Sequence, residues 1–227
     1  MIEISNVEVV GWEHAIRGMR NPLNSWDRSD SALCKREFND CRVSPANDCP
    51  KLSEIEDEDY FCIGEHDFDL MRRLSKAGTD HAKYRRMIVV YADILAPLYW
   101  FKEYDTYKVG TVANSCSTMH KIQAKEFVLD DFSHDQLDYY GKCMLKDIIS
   151  VLNKNRELFI NSKNKQNWWN MIQLLPTSYN QKRTVMLNYE VLANMYHSRR
   201  SHKLDEWRQF CEWIETLPYS ELITGGN

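Results

Sequence analysis

Hydrophobic and polar positions along the chain alternate between two periods, and the switches mark out its elements. Val7–Trp12 (VEVVGW) is β-branched up to Gly11 and predicts a short strand, followed by a helical turn or two over Glu13–Met19. Pro22 biases Asn21 away from helix, so Arg20–Trp26 reads as a turn. Ser29–Asp48 is polar and Cys-bearing, which suggests a helix and a loop. Glu54–Asp59 is an acidic run of the kind usually found in solvated loops. A helix is expected over Asp67–Ala77, with Phe68, Leu70, Met71 and Leu74 inward and Gly78 as its stop.

The stretch from Met87 to His120 stands out. Met87–Asp93 alternates and is β-branched, so it predicts a central strand. Pro97 suits the first turn of a helix over Leu98–Tyr104, and Asp105–His120 reads as a polar loop. Further on, Glu126–Leu129 is a strand candidate. Ser133–Gln136 has the form of a capping box, opening a helix over His134–Leu158 with Leu137, Tyr140, Met144, Ile148, Val151 and Leu152 as its apolar stripe. A helix over Gln166–Leu175 ends at Pro176, and its paired Trp residues read as core or interface. Thr184–Leu187 is a short strand. Tyr189–Ser198 is a helix with Val191, Leu192, Met195 and Tyr196 inward. Ser201 can cap a last helix to Glu215, with Leu204, Trp207, Phe210, Cys211 and Ile214 inward. With no repeat and no Gly/Ser linker, the expected organisation is one α+β domain over residues 1–227, a mixed or antiparallel sheet flanked by helices.

Composition narrows the function classes. The 227 residues suffice for a substantial core, and a net charge of −4 gives no reason to expect DNA or RNA binding. No apolar run approaches the roughly 20 residues of a membrane span, and the N-terminus lacks a signal-peptide pattern. The seven Cys are irregularly spaced with no CxxC pair, which fits a reduced, cytoplasmic setting. A metal site among Cys34, Cys41, Cys49 and Cys62 lacks the tight ligand pair such sites usually show.

No P-loop, dinucleotide fingerprint, HExxH or nucleophile elbow is present. Two clusters could carry chemistry. The first, Thr106, Tyr107, Lys108, Thr111 and Asn114–Thr118, offers one cation and many short hydrogen-bonding groups. It reads either as a contact for a phosphate or polar heterocycle, or as an ordinary surface loop. The second, Arg199 and Arg200 with His197 and His202, follows an amphipathic helix, whose C-terminal dipole alone favours basic residues. Arg17 and Arg20 share a helical face, either a solvated one or an anion contact at the turn.

Taken together, these clusters resemble the flavin-dependent thymidylate synthases. In that family a strand leads into Ala-Pro, an aromatic helix and the motif Arg-His-Arg-x-x-Ser-x-Asn-x-x-Ser-x-Arg-Tyr. From Ala96-Pro97, without a gap, this chain reads Thr106-Tyr107-Lys108-x-x-Thr111-x-Ala113-x-x-Cys116-x-Thr118-Met119. The family's later pattern is matched by Leu175-Pro176, Asn188, Leu192-x-Asn194 and Arg199, and Glu206-Trp207 resembles its Glu-Trp step. Its Arg two positions after the Asn is Glu190 here, a charge reversal.

The resemblance implies a homotetramer that binds FAD and makes thymidylate from deoxyuridylate, with methylenetetrahydrofolate and NADPH as cosubstrates. Carried over position by position, it puts Cys116, flanked by Ser115 and Ser117, at the nucleotide base. Tyr107, Lys108 and Asn188 fall to the cofactor, and Thr111 and Arg199 to the nucleotide, with Lys182 as a cation able to replace lost ones. Most of the family's cations are missing, so two further expectations stand beside catalysis. One is a non-catalytic relative that binds a nucleotide or nucleotide-like ligand. The other is an oligomeric structural protein whose aromatics serve interfaces.

Overall fold

Among the described residues, backbone hydrogen bonding forms six strands and eight helices with 3-10 turns between. The structure is a computed structural model and describes residues 2–34 and 60–225. In chain order these are β1 (Glu3–Val10), α1 (Trp12–Arg20), β2 (Ala32–Cys34), β3 (Tyr60–Cys62), α2 (Glu65–Lys76), β4 (Val89–Pro97), α3 (Leu98–Tyr104), β5 (Val112–Ser115), α4 (Tyr139–Ser162), α5 (Lys165–Leu174), β6 (Asn180–Asn188), α6 (Tyr189–Arg199), α7 (Asp205–Glu215) and α8 (Glu221–Thr224). The class is α+β. A four-stranded sheet has the order β1-β4-β6-β5, so β4 is an interior strand as its alternation predicts, and β2 pairs antiparallel with β3. The helix and loop expected over Ser29–Asp48 and the acidic run Glu54–Asp59 lie wholly or largely outside the described residues, as do Cys41 and Cys49.

Contacts gather the chain into two units, each assembled from three separate segments: Met1–Val7, Tyr91–Met186 and Arg199–Cys211 in the first, and Glu8–Val90, Leu187–Ser198 and Glu212–Asn227 in the second. The first holds most of the sheet and an aromatic cluster in which Trp100 meets Phe101, Tyr104, Trp207 and Phe210 at centroid distances of 4.8–5.5 Å. A neighbouring cluster packs Leu145, Leu152 and Met171 of α4 and α5 against Ile122, Phe127 and Phe132. In the second unit Met71, Ile88, Leu192 and Met195 are fully buried, and Trp12 meets Tyr189 edge to face at 5.3 Å. Gly11, at the β1–α1 junction, has φ 95°, and a Cβ there would lie 2.1 Å from the Met87 carbonyl oxygen, so only glycine fits.

Several sequence expectations need correction. Glu126–Leu129 is no strand. The Phe127 N–H donates to Asn153 Oδ1 and its carbonyl accepts from Asn153 Nδ2, both at 2.9 Å, while Val128 N–H donates to Asp131 Oδ2. Side chains take the bonds a ladder would need, and a 3-10 turn follows at Leu129–Asp131. The Ser133 capping box does not form. Phe132 bridges Tyr179, the Ser133 N–H donates to the Ser178 carbonyl, and the Ser133 hydroxyl pairs with Tyr99 Oη at 3.1 Å. The helix instead starts at Tyr139, where Asp138 Oδ1 accepts from Gly141 N–H at 2.7 Å.

The stripe expected on that helix is split. Leu152 is buried and Ile148 packs on the cluster, but Leu137, Tyr140, Met144 and Val151 are exposed, and Leu145 takes the inward place. The polar loop after Asp105 contains edge strand β5, paired antiparallel with β6 in the register Val112↔Met186 to Ser115↔Arg183. Ser201 does not cap α7, which begins at Asp205. Arg20 is neither a solvated face nor a turn contact for an outside anion. It is 5% exposed and its Nε donates to Asp67 Oδ1 at 2.6 Å. No helix among the described residues is long and apolar enough to cross a membrane.

Candidate functional site

The first unit places Tyr107 and Arg199 side by side. α3 carries Glu103 in its last turn and the chain turns directly after it, so Tyr107 and Glu103 meet the end of α6. Arg199 Nε donates to Tyr107 Oη at 2.9 Å and Nη1 to Glu103 Oε2 at 2.6 Å. The guanidinium lies over the rings of Trp207 and Tyr107, 5.0 and 5.6 Å from their centroids. Glu103 Oε2 also accepts from Trp207 Nε1 at 3.2 Å, and His202 Nε2 lies 3.3 Å away. Arg199 is thus clamped by a carboxylate and two aromatic faces. A guanidinium has five N–H groups, more than these two bonds use, so donors remain for an anion.

A second group sits at the β5–β6 end. Cys116 N–H donates to the Lys182 carbonyl, and the Cys116 carbonyl accepts from Gln181 Nε2 at 2.7 Å, which fixes the backbone while leaving the free thiol exposed. Ser115 and Ser117 on either side are exposed. The Ser117 hydroxyl accepts from the N–H groups of Met119 and His120, which builds a tight turn. Lys182 Nζ pairs with Asp93 Oδ2 at 2.9 Å. Hydrogen bonds from Thr184, Lys182 and Asn6 hold the Asp93 carboxyl down to about 2, and Asp93 in turn raises Lys182. Thr111 donates its hydroxyl to the Tyr107 carbonyl. Lys108 is exposed and makes no ion pair among the described residues, which leaves its ammonium available to an incoming anion.

Asn188 belongs to the second unit. Its Oδ1 accepts from Val191 N–H at 2.9 Å, closing the first turn of α6, and Nδ2 is left to donate. Glu190, the site of the charge reversal, is buried and pairs with Arg85 at 3.4 Å. Arg85 also donates to the Leu222 and Ser75 carbonyls.

Sequence reasoning missed four features of these regions. Glu103 looked like one charge on an aromatic helix. Arg183 pairs with Asp105 at 2.6 Å and lies 3.9 Å over the Phe101 ring. The third is Asp93, and the fourth is the partner of Glu206, which the sequence marks only as half of the Glu206-Trp207 step: Glu206 is buried and accepts from Tyr99 Oη, and burial and that carboxylate push the phenol up. A carboxylate spaced four residues from Tyr107 on the aromatic segment was the available hint for Glu103. Nothing local marks the others, because their partners lie far along the chain. Among the described residues no His, Cys, Asp and Glu gather as a metal site would require.

No protein-family model and no curated protein sequence matches this chain. Solved structures do. Flavin-dependent thymidylate synthase ThyX from Helicobacter pylori, complexed with FAD and dUMP, superposes with a TM-score of 0.64 over 98% of both chains at 16% identity. A second structure of thymidylate synthase X from that organism with FAD and dUMP gives 0.62 over 99% of this chain and 98% of the other at 15% identity. Across nearly its whole length, the chain has the fold of the flavin-dependent thymidylate synthases.

Proposed function

We propose that the chain is a divergent flavin-dependent thymidylate synthase-like protein that uses FAD to transfer a one-carbon group to a pyrimidine deoxynucleotide resembling dUMP. The observation that carries this reading is the end-to-end fold match to proteins solved with FAD and dUMP. Fold alone does not fix function, so the residues must bear part of the weight. Lys108, an exposed ammonium in the same segment of chain as Thr106, Thr111, Ser115 and Ser117, suits a phosphate-bearing cofactor. Arg199 keeps N–H donors for a nucleotide phosphate.

FAD, when bound, would supply hydride transfer, with NADPH as the hydride source and methylenetetrahydrofolate as the one-carbon donor. The chain's own residues bind and orient. Tyr107 and Lys108 are assigned to the cofactor, and so is Asn188 through its Nδ2. Thr111, Lys182 and Arg199 are assigned to the nucleotide. Cys116, Ser115 and Ser117 donate toward the reacting base. The same reading makes the protein a cytoplasmic homotetramer.

A second reading, a non-catalytic relative that binds a nucleotide-like ligand, is favoured by one pattern. In the first unit Lys182, Arg183 and Arg199 are neutralised by Asp93, Asp105 and Glu103, and in the second Arg85 is neutralised by Glu190. A phosphate must compete with the chain's own carboxylates.

Three measurements on the purified protein separate the readings. The catalytic one expects a flavin absorption spectrum or quenching of added FAD fluorescence, a dUMP-dependent rise in melting temperature, and dTMP formation with FAD, NADPH and methylenetetrahydrofolate. A dUMP-dependent rise without turnover favours the second. Colourless protein that does not quench added FAD overturns the first.

A further inference from the structure

The second unit contains a cavity of about 410 Å³ that none of the residues assigned to the cofactor or nucleotide lines. One wall is a single face of α1, where Ile16, Arg17 and Arg20 follow at helical spacing. Trp26, Leu33 of β2 and Phe61 of β3 also line it. The Arg17 and Arg20 pair singled out in the sequence therefore has one buried and one open member.

The floor is rigid. Arg20 is gripped by Asp67 and donates Nη1 to the Ser25 carbonyl at 3.2 Å, while the hydroxyls of Ser29 and Ser31 donate to Asp67 at 2.6 and 2.7 Å. The aromatic wall is fixed too. Trp26 Nε1 donates to Asn21 Oδ1 at 2.8 Å, yet Trp26 and Leu33 each leave 50% of their surface open. An indole held in place but half uncovered is a pre-oriented contact surface whose ordering cost is already met. Arg17 is exposed and makes no ion pair among the described residues, although Glu13 lies one turn before it on the same wall.

We infer that this cavity is a binding site for a small planar aromatic compound carrying a single anionic group, its ring against Trp26 and Phe61 and its charge against Arg17. The volume lies at the small end of ligand pockets, about 300–1,000 Å³, so it takes one ring system rather than a dinucleotide. Asp67 cancels the charge of Arg20, and Glu13 opposes Arg17, which selects a monoanion over a dianion.

Indole-3-acetate is a suitable probe, titrated into the full chain and followed on the tryptophan indole N–H signals in a ¹H–¹⁵N spectrum. The Trp26 signal is assigned by its loss in Trp26→Phe. The site predicts a saturable shift of that signal with a dissociation constant of about 1 mM or tighter. It also predicts binding roughly tenfold weaker in Arg17→Ala and a similar loss for the uncharged indole-3-acetamide. No saturable shift up to the solubility of the probe overturns the proposal. So does undiminished binding by Arg17→Ala or by the amide. Neither FAD nor dUMP is in the experiment, so its outcome is independent of the function proposed above.

Discussion

Asp67 is completely buried and receives Arg20, the hydroxyls of Ser29 and Ser31, and the Ser31 N–H. Burial pushes its carboxyl up, but the hydrogen bonds from Ser29, Ser31 and Arg20 together outweigh that and hold it below the ordinary value. Its stabilising contribution is therefore full above about pH 4, the unfolded value, and is lost as pH falls through the lower folded value. Urea midpoints of the native chain should fall in that acid window, and those of Asp67→Asn should fall less. Arg20→Ala leaves an uncompensated buried carboxylate and should cost about 3–5 kcal/mol, read from the same denaturation curves at neutral pH. Arg199 makes the opposite kind of prediction. Its partner Glu103 competes with any phosphate, so Glu103→Gln should tighten dUMP binding several-fold, whereas Arg199→Ala should weaken it about tenfold, or about 1.4 kcal/mol, both by calorimetry. Equal affinities in all three proteins would remove Arg199 from the nucleotide site.

At the scale of elements, α4 shows where local pattern suffices and where it fails. A long helix was legible from its apolar repeat, as were α1, α2, α3, α5 and α6 to within a few residues. Its start was not, because Ser133 and Asp138 are both good caps and only the distant Ser178 and Tyr179, just before β6, decide between them. Asp138→Ala should accordingly cost about 1 kcal/mol by thermal melting, and Gln136→Ala, at the unused box, close to nothing. The same non-local competition hid β5, whose four residues are all exposed and hold their place only by pairing with β6. The candidate site divides likewise. Lys108, Cys116 and Arg199 were readable as types in a pattern. The carboxylates that neutralise the cations there, Glu103 at Arg199, Asp93 at Lys182 and Asp105 at Arg183, were not, since sequence spacing carries no information about which distant carboxylate a cation meets.

For the whole molecule, the open face of α4 bears on assembly. Tyr140, Met144, Val151 and Leu158 recur at spacings of four and seven residues, and all are exposed, with Tyr140 at 77% and Met144 at 61%. Exposed apolar side chains recurring on one helix face are a surface that a tetramer would cover. If it does, Met144→Glu should lower the mass measured by light scattering without lowering helix content by circular dichroism. An unchanged mass removes this face from any subunit contact.

The interleaving of the two units has a practical bearing on how the chain can be dissected. Each is stitched from an early, a middle and a late segment, and β1, β4, β6 and α7 each pass from one to the other. A stop codon after β4 would strand the second unit without α6 and α8, and an expression fragment starting there would lack both β1 and β4 from its sheet. Neither half is a portable module. Splitting the gene is a matter of reconstitution from co-expressed pieces, with the break best placed in a loop inside one segment rather than at a border between units.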